Sequence, residues 1–175
     1  MNRIRIIFLF VFSSLVFAQV NNGSRAKPTA AVLDFVGSGI TTQEAQVLTQ
    51  RLGSELVQTS ALIMVERNQM NEIMEEQGFQ QAGCTSAECA AEIGALLGVQ
   101  KMISGSFGKI GNSYTIEARM FTVESGKTEK TVSKTYKGEV DGLLPQIQIV
   151  AWELVGLTPP ADLLALAGVE TEEEV

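Results

Sequence analysis

Apolar residues recur along the 175 residues of the chain with two alternating periods, and each change of period predicts a new element. Ala30 to Phe35 is an apolar run interrupted only by Asp34, the pattern of a strand buried on both faces. Gly37-Ser38-Gly39 is expected to break it. Ala45, Leu48, Leu52 and Leu56 then share one face of a helix. Thr41 and Glu44 open that helix as a capping box, in which hydroxyl and carboxylate each satisfy a backbone N–H of the first turn. Ser60 to Glu66 reads as a second strand and Gln69 to Gln77 as a second helix, with Met70, Ile73 and Met74 filling the core and Gly78 ending it. A third helix presents Cys89, Ile93, Leu96 and Leu97 along one side and stops at Gly98.

From Lys101 the strand period takes over. Met102 to Ile110 and Tyr114 to Val123 read as strands joined at Gly111-Asn112, and Thr128 to Tyr136 completes a meander as a polar edge strand. Asp141 is expected to cap a last helix, with Ile147, Val150, Ala151, Leu154 and Val155 as its apolar stripe and Trp152 as a packing residue. Thr158-Pro159-Pro160 stops this helix. Leu163, Leu164 and Leu166, followed by Glu170, Glu172, Glu173 and Glu174, read as a disordered acidic tail. The predicted order of elements is β-α-β-α-α-β-β-β-α.

The amino terminus follows neither period. Arg3 and Arg5 precede an apolar run from Ile6 to Phe17 that only Ser13 and Ser14 interrupt, and Val16-Phe17-Ala18 ends in small residues. This is the layout of a secretory signal peptide cleaved between Ala18 and Gln19. An uncleaved anchor is the alternative, although the run is shorter than the roughly 20 residues a spanning helix needs. Gln19 stands where a lipoprotein would carry cysteine, so the exported chain is expected to be untethered. The organisation expected is a signal peptide over 1–18, a flexible leader over 19–29, one α/β domain over 30–157 and the acidic tail over 158–175.

Cys84-Thr85-Ser86-Ala87-Glu88-Cys89 contains both cysteines of the chain. With Thr85 as N-cap and Glu88 at N3, it would form a second capping box, placing the cysteines at N′ and N4, where a hydrophobic staple usually sits. A Cys84–Cys89 disulfide would be a covalent version of that staple, and an oxidising compartment favours it. A reactive thiol at a helix start is the competing reading, but the spacing is not Cys-x-x-Cys. Structural zinc asks for four ligands, and two cysteines without a histidine do not supply them. No metal and no cofactor are therefore expected.

A net charge of −7 argues against a nucleic-acid surface, and Lys127, Lys130, Lys134 and Lys137 read as solvated edge charge. The chain lacks histidine, a Gly-x-Ser-x-Gly elbow and any recognised carboxylate pair, so no catalytic residue is nominated. Gly105 to Gly111 superficially matches a phosphate loop. It lacks the Gly-Lys-Ser/Thr ending and runs within strands. Asp34 and the pair Glu66-Arg67 fall at strand ends, where α/β sheets place sites, and capping or ion pairing accounts for them equally well.

Val32-Leu33-Asp34-Phe35, Glu55-Leu56-Val57, Val65-Glu66-Arg67, Glu76-Gln77-Gly78-Phe79, the Cys84 to Cys89 motif, Leu97-Gly98-Val99 and Gly105-Ser106 carry a resemblance. Over Ala30 to Trp152 the chain resembles the CsgG family, which includes the curli secretion-channel subunit and small exported proteins. The family is similar in fold to the TolB amino-terminal domain and to a penicillin-binding-protein activator. The resemblance implies an α/β fold, a mixed β-sheet with helices packed on it in the order read above, and a periplasmic domain that associates with itself or with envelope proteins. Two departures limit the transfer: Gln19 replaces the lipidated cysteine, and the charged meander lacks the apolar outer band of a membrane hairpin, so no pore is expected. The expectation is a non-enzymatic periplasmic module for protein interaction or envelope assembly, without nucleic-acid partners. The alternative is a periplasmic small-molecule binder or hydrolase on an α/β scaffold.

Overall fold

A computed structural model describes residues 26–78 and 86–168. The unbroken apolar run at its start forms β1 (Thr29–Val32), which is flanked on both sides by parallel neighbours, β3 (Ile63–Met64) and β4 (Lys101–Ile110). A strand buried in this way has no solvent face, which is why its pattern does not alternate. β2 (Val36–Ser38) continues the line of β1 along the same β4. Four residue steps from Val32 to Val36 lie opposite three from Ile103 to Ser106, so the chain carries one surplus residue here. The single strand expected over Ala30 to Phe35 is thus two, and Gly37-Ser38, expected as a break, belongs to the second. The second predicted strand shrinks from Ser60–Glu66 to Ile63–Met64, because it is an edge strand that pairs only with β1.

α1 (Thr42–Gln58) returns across one face of the sheet, and α2 (Arg67–Glu76) and α3 (Ala87–Leu97) cross the other. β5 (Ser113–Thr122) and β6 (Thr128–Lys137) extend β4 antiparallel, with Gly111 at φ 58° in the first hairpin turn. The six-stranded sheet has the order β3-β1-β4-β5-β6, with β2 beside β4. α4 (Leu143–Leu154) lies beside α1, and α5 (Ala161–Leu166) lies against α4.

The sheet separates two apolar layers. Leu52 and Leu56 of α1 and Ile147, Val150 and Leu154 of α4 pack on Phe107, Ile116 and Val132, while Met70, Met74 and Ile93 pack on Leu33, Met102 and Phe121. Phe35 and Phe107 meet with ring centroids 5.1 Å apart at 33°. Glu55, only 3% exposed, is a charge inside the first layer. Its Oε1 accepts from Arg51 Nη2 at 2.5 Å and from Gln148 Nε2 at 3.2 Å, so it joins α1 to α4.

Two expectations at the C-terminal end need correction. Asp141 does not cap α4: it lies in a 3-10 turn, Val140–Gly142, where its Oδ1 accepts from the Gly142 N–H at 2.9 Å. The N-cap position falls instead on Gly142, where a Cβ would overlap the Tyr136 hydroxyl. The stretch after Pro160 is not structureless throughout. Asp162 sits in the first turn of α5, Leu163 and Leu164 are half-buried, and the buried Gln146 donates from Nε2 to the Ala167 carbonyl at 3.0 Å. Residues 1–25, with the expected signal peptide and its Ala18/Gln19 junction, lie outside the described residues, as do Cys84, Thr85 and the glutamates from Glu170 onward.

Candidate functional site

β1 hands the chain through β2 to α1 on one face and β3 hands it to α2 on the other, which opens a crevice beyond the carboxyl ends of two adjacent parallel strands, β1 and β3. Open α/β sheets bind ligands at such switch points. The surplus residue after β1 turns Asp34 into this crevice, a common use of an extra residue in a strand. There Asp34 Oδ1 pairs with Arg67 Nη2, the first residue of α2. Burial lowers the pKa of the Arg67 guanidinium, which nonetheless stays cationic. Beside the pair is a cleft of about 520 Å³ lined by Val32, Thr49, Ser54, Met64 and Asn68 among others. Thr49 is committed to the fold: its Oγ1 accepts from the Phe35 N–H at 3.2 Å and donates to the Ala45 carbonyl at 2.7 Å. The cleft therefore offers the amides of Gln50 and Asn68 and the carboxylate of Glu66 over an apolar floor, with an ion pair at one end; the Ser54 hydroxyl is committed to the Gln50 carbonyl.

A second concavity forms where the β2–α1 loop, the β4–β5 hairpin and the turn before α4 converge. Gly39, at φ 75°, approaches β4 so closely that a Cβ would overlap the Lys109 carbonyl, so this position requires glycine. The loop then enters α1 through a reciprocal cap: Glu44 N–H donates to Thr41 Oγ1 at 3.1 Å and Thr41 N–H to Glu44 Oε2 at 2.7 Å. The backbone and hydroxyl of Thr41 hold the Glu44 carboxyl below its usual pKa. Lys109 Nζ stands 5.0 Å from the centroid of Tyr114. Its pKa is raised by the hydrogen bond with Tyr114 and, to a lesser extent, by the charges of Glu44 and Glu139. Tyr114 and Tyr136 face each other across β5 and β6, with stacked rings 6.4 Å apart.

The resulting groove measures about 510 Å³ and is lined by Ile40, Val47, Leu48, Tyr114, Val140 and Leu143. Val47 and Val140 are each 58% exposed, and Ile110 at the hairpin end is 85% exposed. Sequence reasoning did not nominate this site. The available signal was Val47, which lies on the opposite side of α1 from Leu52 and so falls off the core stripe.

Of the residues nominated from sequence, Thr41 and Glu44 meet at the start of α1, and Asp34, Glu66 and Arg67 gather at the strand ends. The second capping box is displaced. Ser86, not Thr85, is the N-cap of α3, and its Oγ accepts from the Cys89 N–H at 3.2 Å. Glu88 is thereby at N2 and cannot complete a box. Serine is the better cap of the two adjacent hydroxyls. Among the described residues no cysteine is free, no group of acids and thiols is arranged to hold a metal, and no helix is long and apolar enough to cross a membrane. Lys134 is not merely solvated; it pairs with Glu153 of α4 at 2.7 Å.

The model of the family described as curli production assembly/transport component CsgG matches residues 20–131. The LpoB C-terminal domain from Salmonella enterica shares the fold at 16% identity and a TM-score of 0.53, over 67% of this chain and 87% of that one. Lipoprotein GNA1162 from Neisseria meningitidis does so at 12% identity and 0.56, over 69% and 90%. No curated protein matches the sequence.

Proposed function

We propose, since this chain belongs to the CsgG family, that it is an exported, non-enzymatic module that associates with proteins of the bacterial cell envelope and is not itself a pore. The family match across residues 20–131 carries this reading, because the family's description names assembly and transport. Two further observations support it. The first 18 residues have the layout of a cleaved signal, which directs the chain to the periplasm. The fold is also that of GNA1162, whose description is lipoprotein. In that compartment Cys84 and Cys89 pair across the start of α3, in keeping with the absence of a free cysteine among the described residues; with Ser86 as N-cap, Cys89 is at N3, one position short of the expected staple site.

Crosslinking in intact cells followed by purification of this chain tests the reading. Covalent adducts with envelope proteins are the expected result, on a polypeptide whose first residue is Gln19. A chain recovered alone and monomeric, with a small molecule detected by native mass spectrometry, would instead support the alternative of a periplasmic binder. That alternative rests on the cleft of about 520 Å³ at the strand ends.

A further inference from the structure

The interaction module needs a docking surface, and the groove at the convergence of the β2–α1 loop, the β4–β5 hairpin and the turn before α4 has the composition of one. Ile40, Leu48 and Leu143 give it an aliphatic floor, and Val47 and Val140 on its lip stand in solvent where core packing makes no demand on them. Apolar side chains clustered inside a polar rim mark interaction sites on soluble proteins. The groove is also held in shape before any partner arrives: Gly39 abuts the Lys109 carbonyl, Glu44 is bound into the cap of α1, and Gly138 N–H donates to the Asn112 carbonyl at 3.0 Å, tying β6 to the hairpin.

The rim decides the occupant. Glu44 and Glu139 line the groove, whereas its one lining cation, Lys109, already rests over Tyr114 in the field of both carboxylates. The site thus presents unbalanced negative charge around an apolar slot. The chain's own acidic segment, with Glu170 and Glu172 to Glu174, carries the wrong sign, and a second copy packed groove to groove would bring the same acidic rim against this one. We propose that this groove binds a segment of a partner protein in which one or two apolar side chains enter the slot and an adjacent lysine or arginine meets Glu139 and Glu44. This inference rests on the interaction-module reading and refines it.

The test places the photo-crosslinker p-benzoylphenylalanine in the full-length exported chain at position 140 and, as a control, at position 57, where Val57 is 56% exposed beside the other cleft. Both positions are on the surface, and circular dichroism of each variant checks that it folds. Illumination of cells should give adducts from position 140, with the captured partner peptide carrying an apolar residue next to lysine or arginine. Adding Glu139→Lys should cut that yield about fivefold, the size of effect expected from one rim charge. Adducts from position 57 but not 140 would overturn the groove while leaving the interaction module standing. A captured acidic peptide, a captured segment of this same chain, or a yield indifferent to Glu139→Lys would also overturn it. Absence of adducts at both positions, together with a monomer in the crosslinking experiment above, would overturn the groove and the module together.

Discussion

The Thr41 hydroxyl makes two bonds, accepting from the Glu44 N–H and donating to Glu44 Oε2 at 2.8 Å. Thr41→Ala removes the hydroxyl that accepts from Glu44 N–H and should cost about 1 kcal/mol, read as a lower urea midpoint at unchanged slope. Its partner adds a pH signature. Because the folded-state pKa of Glu44 lies below its ordinary value, the stabilisation is complete above the unfolded pKa and disappears as pH falls through the folded one. Acid titrations of wild type and Glu44→Gln should therefore differ at neutral pH and converge in acid. In the core, Phe107→Ala strips the ring packed on Phe35 and should cost roughly 3–5 kcal/mol. The cap of α1 was legible in the sequence because its partners are three residues apart. Asp34 and Arg67 were legible only as strand ends, since a pairing across 33 residues depends on the sheet. Thr85 and Ser86 offered the same hydroxyl at neighbouring positions, and only the helix start separates them.

Among the elements, the long strands β4, β5 and β6 were readable from alternation and their Gly-containing turns. The division of β1 from β2 was not, because a surplus residue is defined only against the register of β4. α5 escaped for a different reason. Its six residues are too few to show a stripe, and α4 supplies its stability through Gln146. Gln146→Leu should accordingly speed amide hydrogen exchange over 161–167 while leaving β4 and β5 protected. At the other end of the α-helical sequence, the proposed Cys84–Cys89 link closes a short loop, worth roughly 2 kcal/mol in the chain-entropy model. Mass spectrometry of the exported protein should find the two joined. Cys89→Ser should loosen the first turn of α3 without unfolding the sheet, and two free thiols would dismiss the staple.

Across the whole molecule, the order of elements along the chain follows from the alternation of periods, but the spatial order β3-β1-β4-β5-β6 and the groove do not. Its walls come from Val47, Lys109 and Val140, residues that no local window contains and that only the closed fold brings together. The buried carboxylate of Glu55 bears on how that groove behaves in time. Held by Arg51 of its own helix and accepting from Gln148, it fastens α1 to α4, the two helices whose amino-terminal ends border opposite sides of the groove. The walls that α1 and α4 contribute, Val47 and Leu143 among them, then cannot drift apart without a cooperative opening of both helices, a far rarer event than loop motion. A partner would meet a slot of constant width, so its capture rate would be set by collision and orientation, on the order of 10⁵–10⁷ M⁻¹s⁻¹, with no slow gating phase in stopped-flow traces. Gln148→Leu, which cuts that fastening, would bring such a phase into view.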